Sequence, residues 1–138
     1  MRIGIYAGSF NPFHTGHLNI YAKALRMFDD VLIFKGKNIA KEGNKDYLAK
    51  GITFIEYDGL LTDKIKEIQK EGNSYFLIRG LRNEQDFRAE QEQSFWLKKL
   101  MPNLQIVYIA CDEEYRHISS SGLRQLDYYK QDITKYIL

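Results

Sequence analysis

The densest chemistry in the chain lies in Gly8-Ser9-Phe10-Asn11-Pro12-Phe13-His14-Thr15-Gly16-His17, directly after the apolar run Arg2-Ile3-Gly4-Ile5-Tyr6. On the first turn of a helix, histidines at i and i+3 fall near one another. Backbone N–H groups at such a turn lack partners and attract anions. The two imidazoles add donors to the same cluster, so a strand, a glycine-containing turn and an HxGH tetrad predict a grip on nucleotide phosphates. Two other segments suit the same ligand. In Arg79-Gly80-Leu81-Arg82, a planar guanidinium matches phosphate oxygens two at a time, and the glycine lets backbone approach a ligand. In Ser119-Ser120-Ser121, hydroxyls and amides at a new helix start can meet further phosphates or merely cap the helix.

Positioning these segments requires a scaffold, and apolar periodicity supplies one. Runs rich in Ile, Val, Tyr and Phe read as strands over Arg2–Tyr6, Val31–Lys35, Ile52–Tyr57, Tyr75–Ile78 and Gln105–Ala110. Their weak alternation suits strands buried on both faces of a parallel sheet. Leu18, Tyr21, Ala22 and Leu25 follow helical spacing, with Thr15 as the N-cap. Leu61, Ile65 and Ile68 mark a second helix stopping near Gly72. Asn83–Leu100 forms a third, with Phe87, Phe95 and Trp96 among its apolar positions and Pro102 beyond its end. The stretch from Ser119 to Leu138 reads as one or two short helices. Strand–helix alternation predicts an α/β fold, a Rossmann-like, doubly wound, five-stranded parallel sheet whose ligand sits outside the carboxyl ends of the strands. The three polar segments then meet on one edge of that sheet.

The chain has 138 residues, 44% of them hydrophobic and 28% charged, which fits one domain over residues 1–138. A formal net charge of +2 points away from nucleic acid, whose binders concentrate basic charge on one face. The lysines at 35, 37, 41, 45 and 50 are interrupted by Glu42 and Asp46 and read mostly as a solvated loop. Cys111 is the single cysteine, a packed hydrophobe by type rather than a nucleophile, and suits a reducing compartment. No apolar run approaches membrane-spanning length, so the expectation is a cytoplasmic protein with no membrane partner.

Gly8-Ser9-Phe10-Asn11-Pro12 with HxGH, Ile78-Arg79-Gly80-Leu81-Arg82 with Asp86-Phe87 and Glu90, and Ile118-Ser119-Ser120-Ser121 together resemble the phosphopantetheine adenylyltransferase family of the HxGH nucleotidyltransferase superfamily. HxGH and the serine run are shared across the superfamily, whereas the Ile-Arg-Gly-Leu-Arg run followed by Asp-Phe is narrower. The resemblance implies adenylyl transfer from ATP to 4′-phosphopantetheine, with Mg2+ accompanying ATP. It implies His17 as the catalytic donor to the phosphates, and Ser9, Lys41 and Arg79 on the acceptor phosphate, with Leu61 along the pantetheine arm. For ATP it implies Ser9, Phe10, His14, His17, Gly80, Leu81, Arg82 and Glu90, then Tyr115, Arg116, His117, Ile118, Ser119, Ser120 and Ser121. It also implies a homo-oligomer, a hexamer.

Two departures from the family pattern stand out. Asn11 and His14 occupy positions where the family has an aspartate and a threonine. The connection between strands two and three, Glu42 to Lys50, is short, which bears on the acceptor wall, on the hexamer and on whether Lys41, Lys37 or Lys45 serves the acceptor. These departures keep two other readings open: a nucleotidyltransferase for another phosphate acceptor, such as nicotinamide or nicotinate mononucleotide, and a nucleotide-binding module without catalysis.

Overall fold

The structure is a computed structural model and describes residues 1–37 and 49–137. Five parallel strands form one sheet in the order β3-β2-β1-β4-β5. They are β1 (Arg2–Gly8), β2 (Asp30–Gly36), β3 (Phe54–Tyr57), β4 (Ser74–Leu81) and β5 (Gln105–Ala110). The strand order reverses between β1 and β4, which pair in register from Arg2 opposite Ser74 to Tyr6 opposite Ile78. A crevice opens at such a reversal because the flanking connections leave in opposite directions.

Side chains on β1 alternate between two cores, as a strand covered on both faces requires. Ile5 and Ala7 pack with Phe34, Leu77 and Ile65, while Tyr6 packs with Ile33, Ile78, Ile20 and Ala24. Helix α1 (Thr15–Leu25) therefore covers one face. Helix α2 (Leu61–Ile68) covers the other through the fully buried Ile65, whose burial contributes about 1.5–3 kcal/mol. Helix α3 (Glu84–Leu100) lies on that second face through Leu97 and ends on Met101. A 3-10 turn (Glu113–Tyr115) and helix α4 (Ser120–Tyr128) follow β5. Ile118, Leu123 and Ile133 form a third small cluster with Tyr115, Tyr136 and Ile137. Among the described residues no helix is long and apolar enough to cross a membrane.

The predicted architecture is the observed one, but several local expectations need correction. Strand β4 runs on to Leu81, so Arg79-Gly80-Leu81 lies within the strand rather than after it. Helix α2 ends at Ile68, before Gly72, because Gln69 is already extended. Helix α3 has no buried residue; Phe95 and Trp96, counted as its apolar stripe, are 69% and 70% exposed. Its inward positions are Asp86, Glu90, Ser94 and Leu97, which follow helical spacing of i, i+4, i+8 and i+11. The C-terminal stretch holds one helix, and residues 131–137 run on without helix to an isolated bridge between Ile137 and His14.

Candidate functional site

The N-cap of α1 is His14, not Thr15. Its backbone is extended, its Nδ1 accepts the Gly16 N–H at 3.0 Å, and its own N–H donates to Nδ1 of His17 at 3.1 Å. The HxGH tetrad thus forms a capping box in which two imidazoles take the places usually held by Ser/Thr and Glu. The rings stack with centroids 3.7 Å apart. Since each Nδ1 accepts a backbone hydrogen, the proton of each neutral ring is on Nε2. Burial pushes His14 down to about 4, with Arg82 adding to the effect. Burial pushes His17 well below the ordinary histidine value, with His14 and Arg82 reinforcing it. The pair is neutral at pH 7 and offers Nε2–H donors.

This arrangement explains Gly16. A Cβ there would stand 2.9 Å from Cε1 and 3.1 Å from Nδ1 of His14, a ring that is 4% exposed and has little room to retreat. Gly16→Ala gains about 1 kcal/mol in helix propensity. It loses a cap worth about 0.5–2 kcal/mol and adds overpacking of about 1–3 kcal/mol. Net destabilisation on the order of 1 kcal/mol is expected in urea unfolding, and a midpoint at or above the parent's would show that the imidazole can move aside.

The first turn of α1 is less open to anions than the sequence predicts. The Gly16 amide is spent on His14, and the Thr15 amide donates to the Tyr136 carbonyl at 2.9 Å. Two of the first-turn amides are thereby engaged within the protein. At α4, Ser119 is the N-cap, its Oγ accepting the Gly122 N–H at 3.0 Å, so the bland reading of that serine is correct locally. Ser120 donates to the Pro12 carbonyl at 2.9 Å, and Arg124 donates to the Asn11 carbonyl. These two bonds fasten the start of α4 to the turn that precedes HxGH.

A cavity of about 430 Å3 opens at the carboxyl ends of β1 and β4. Its walls include Ser9, Phe10, His14 and His17 from the first segment, Arg79, Gly80, Leu81 and Arg82 from β4 and its end, and Glu90 from α3. Tyr115, Ile118, Ser119, Ser120 and Ser121 close it. Arg116 and His117 are exposed and are not among its lining residues. Lys41, with its alternative Lys45, lies outside the described residues. Phe10 is buried among Tyr6, Phe13, His17 and Phe54, at a positive φ of 44° that a non-glycine residue adopts only when packing compels it. Gly80 has a reason besides the ligand: a Cβ there would meet Cγ1 of Ile20 at 3.0 Å, so the glycine lets α1 pack on the sheet.

The arginines are already held. Nε and Nη2 of Arg79 donate to the two carboxylate oxygens of Glu90 at 2.6 and 3.0 Å. Nη2 also donates to Oε1 of Gln93, and Nη1 to the Ala7 carbonyl. The paired edge expected to face a phosphate is therefore on Glu90, itself expected at ATP. Arg82 grips Asp86 through Nε and Nη2 at 2.9 and 3.1 Å, and this hydrogen bonding raises its pKa. Cys111 lines the cavity, buried, with its thiol pushed up by that burial, as a packed hydrophobe would be.

A second cavity of about 710 Å3 shares Gly8, Ser9 and Arg79 with the first. Leu60, Leu61, Trp96, Leu97 and Leu100 give it an apolar wall, and Lys37 stands at its edge. Leu61 both packs on the core and lines this space. Arg124 is the main residue the sequence reading missed. It follows Ser120 by four positions, so the serine run, once placed at a helix start, puts it on the same helix face.

A protein of Mycoplasma capricolum subsp. capricolum named phosphopantetheine adenylyltransferase is 39% identical to this chain over 140 residues, covering 95% of this chain and all of the relative. The chain belongs to the phosphopantetheine adenylyltransferases. The family described as Cytidylyltransferase-like matches residues 5–51, which contain the HxGH tetrad. The fold is shared with a bifunctional NMN adenylyltransferase/ADP ribose pyrophosphatase from Francisella tularensis, at TM-score 0.67 and 16% identity, over 99% of this chain and 44% of that longer one. A second structure of that bifunctional protein, complexed with AMP and Mn ion, matches at TM-score 0.63 and 17% identity with the same coverage.

Proposed function

We propose that this protein moves the adenylyl group of ATP to 4′-phosphopantetheine, giving dephospho-coenzyme A and pyrophosphate in coenzyme A synthesis. The observation that carries the reading is the pair of adjoining cavities that share Gly8, Ser9 and Arg79. The first suits ATP, with side-chain donors from His17, Arg82 and Arg124 around it. The second suits the pantetheine arm along its leucines and Trp96, with the arm's phosphate toward Ser9 and Arg79 at the shared wall.

The second pKa of a phosphate monoester is about 6, so the acceptor is largely a dianion at neutral pH. One of its oxygens attacks the α-phosphorus of ATP as the bond to the bridging oxygen breaks, and pyrophosphate leaves with the electron pair. No proton has to be removed from the nucleophile, so the reaction asks for in-line positioning and charge compensation rather than a base. Nε2–H of His17 supplies one preorganised donor, and the start of α4 supplies others.

The carboxylates of the ATP cavity, Asp86 and Glu90, are committed to Arg82 and Arg79. Among the described residues no cluster of three or more His, Cys, Asp or Glu is placed to hold a metal. A protein-built metal cage does not fit these residues. A divalent cation, Mg2+ in this reading, enters as part of the MgATP substrate, coordinated by phosphates and water. The exposed Phe95 and Trp96 support the homo-oligomer that the family resemblance implies, and an ATP-consuming reaction supports a cytoplasmic location.

Pyrophosphate release from MgATP should occur with 4′-phosphopantetheine and not with nicotinamide mononucleotide or without acceptor. Turnover with the mononucleotide alone would move the chain to the other acceptor class. ATP binding with no turnover on any acceptor would leave only a nucleotide-binding module.

A further inference from the structure

We infer that the C-terminal segment Ile133–Ile137 is a positioning element of the transfer site, a backstop that holds the His14–His17 pair against the ATP cavity. The inference rests on the catalytic reading of that pair given above. Three observations carry it. The carbonyl of Tyr136 accepts the Thr15 N–H at 2.9 Å, and Ile137 bridges His14 in an antiparallel pairing, so the segment lies along the backbone of the tetrad. Ile133, 5% exposed, anchors the segment in the cluster of Ile118 and Leu123. The segment is also shaped in advance: Asp132 accepts from the Thr134 amide at 3.0 Å and from its hydroxyl, and Tyr136 N–H closes a turn on the Ile133 carbonyl at 2.9 Å.

The consequence is chemical as well as mechanical. His14 is 4% exposed although it borders an open cavity, and its backbone is paired with Ile137 of the segment. Each Nδ1 must remain unprotonated to accept its backbone hydrogen. Water reaching the pair from behind would favour protonation, break both bonds and release the rings from the orientation that presents Nε2–H. The charged and titratable groups that line the cavity with the pair are Tyr6, Arg79, Arg82, Asp86, Glu90, Cys111, Tyr115 and Arg124, and the segment itself carries Lys135 and Tyr136. Arg82 opposes protonation of both rings, in the same direction as burial.

Thr15→Pro tests this with little damage to the helix. Thr15 is the first helical residue, where proline is favoured, and the extended backbone of His14 suits the residue before a proline. The substitution deletes the N–H that Tyr136 accepts and places the ring where that carbonyl sits, while Thr15→Ala keeps the bond. NMR titration of the imidazoles, with exposed His117 as the third signal, is read beside the pH dependence of kcat/KM for ATP. In Thr15→Pro the midpoints of His14 and His17 are expected to rise by about one pH unit or more toward the ordinary value. The acid limb of kcat/KM should move up with them, and kcat at pH 7 should fall about tenfold if the donor is misplaced. Thr15→Ala should match the parent. Unmoved midpoints in Thr15→Pro, with or without a uniform loss of activity, overturn the inference. If Thr15→Pro does not fold, Ile133→Ala is read by the same criteria. A parent without turnover would refute the catalytic reading, while the titrations would still decide whether the segment controls the histidines.

Discussion

Replacing His17 by asparagine is expected to lower kcat by about 10²–10³ while leaving stability close to the parent's. The two halves of this expectation come from the two ring nitrogens. Nδ1 accepts the His14 N–H and closes the capping box, a structural duty that an asparagine oxygen at nearly the same place can take over. Nε2 carries the proton and serves the cavity, and asparagine has nothing at that distance. His17→Ala removes both and should lose about 1 kcal/mol of stability in addition to the same kcat. KM for ATP should change much less than kcat, because a donor aimed where charge develops contributes mainly in the transition state. Steady-state pyrophosphate release and urea midpoints for the two variants provide the test. Parental kcat in His17→Asn would remove the imidazole from the mechanism, and parental stability in His17→Ala would remove it from the cap.

The same duality shows why part of this site can be read from the sequence and part cannot. The first two segments could be placed because each adjoins an apolar run and so lies near a strand's carboxyl end, and the serine run because it opens the helix after β5; the run does not fix where the strand stops, since β4 continues through Arg79-Gly80-Leu81. Residue types then suggested phosphates. What the side chains do to one another depends on neighbours that sequence distance conceals. Arg79 meets Glu90 only because β4 and α3 pack antiparallel through a two-residue connection. His14 as N-cap escapes ordinary cap preferences, although an acceptor at the cap position and another three residues on is the pattern of a capping box. On α3, Phe87, Phe95 and Trp96 are among the apolar positions of the sequence, but the helix turns Asp86 and Glu90 inward where it borders the site, since arginines there need partners. The C-terminal segment resisted reading for a different reason: it has no apolar period, and its place is set by pairing with His14, more than a hundred residues away.

Arg79 presents the sharpest conflict between a structural and a functional demand, and its removal should separate them. Four of the five guanidinium N–H donors are engaged: two by Glu90, one by Gln93 and one by the Ala7 carbonyl. One Nη1 hydrogen is left for an acceptor phosphate, so Glu90 orients the cation at the shared wall of the two cavities and limits its grip to a single donor. Arg79→Ala strands the Glu90 carboxylate, 18% exposed, without its cation. Losing a partner costs about 3–5 kcal/mol when both groups are fully buried. With this degree of exposure about 2 kcal/mol is expected. Removing Glu90 as well takes away the stranded charge, so Arg79→Ala/Glu90→Ala should recover roughly half of that stability. Catalysis should not follow. A charge-assisted hydrogen bond to phosphate contributes about 1.5–3 kcal/mol, so kcat/KM for 4′-phosphopantetheine should fall by about 10–150-fold in the single variant and stay low in the double. Urea unfolding and acceptor titrations on the three chains complete the cycle. If kcat/KM recovered in step with stability, Arg79 would only support the wall, and the acceptor phosphate would have to be held by other residues.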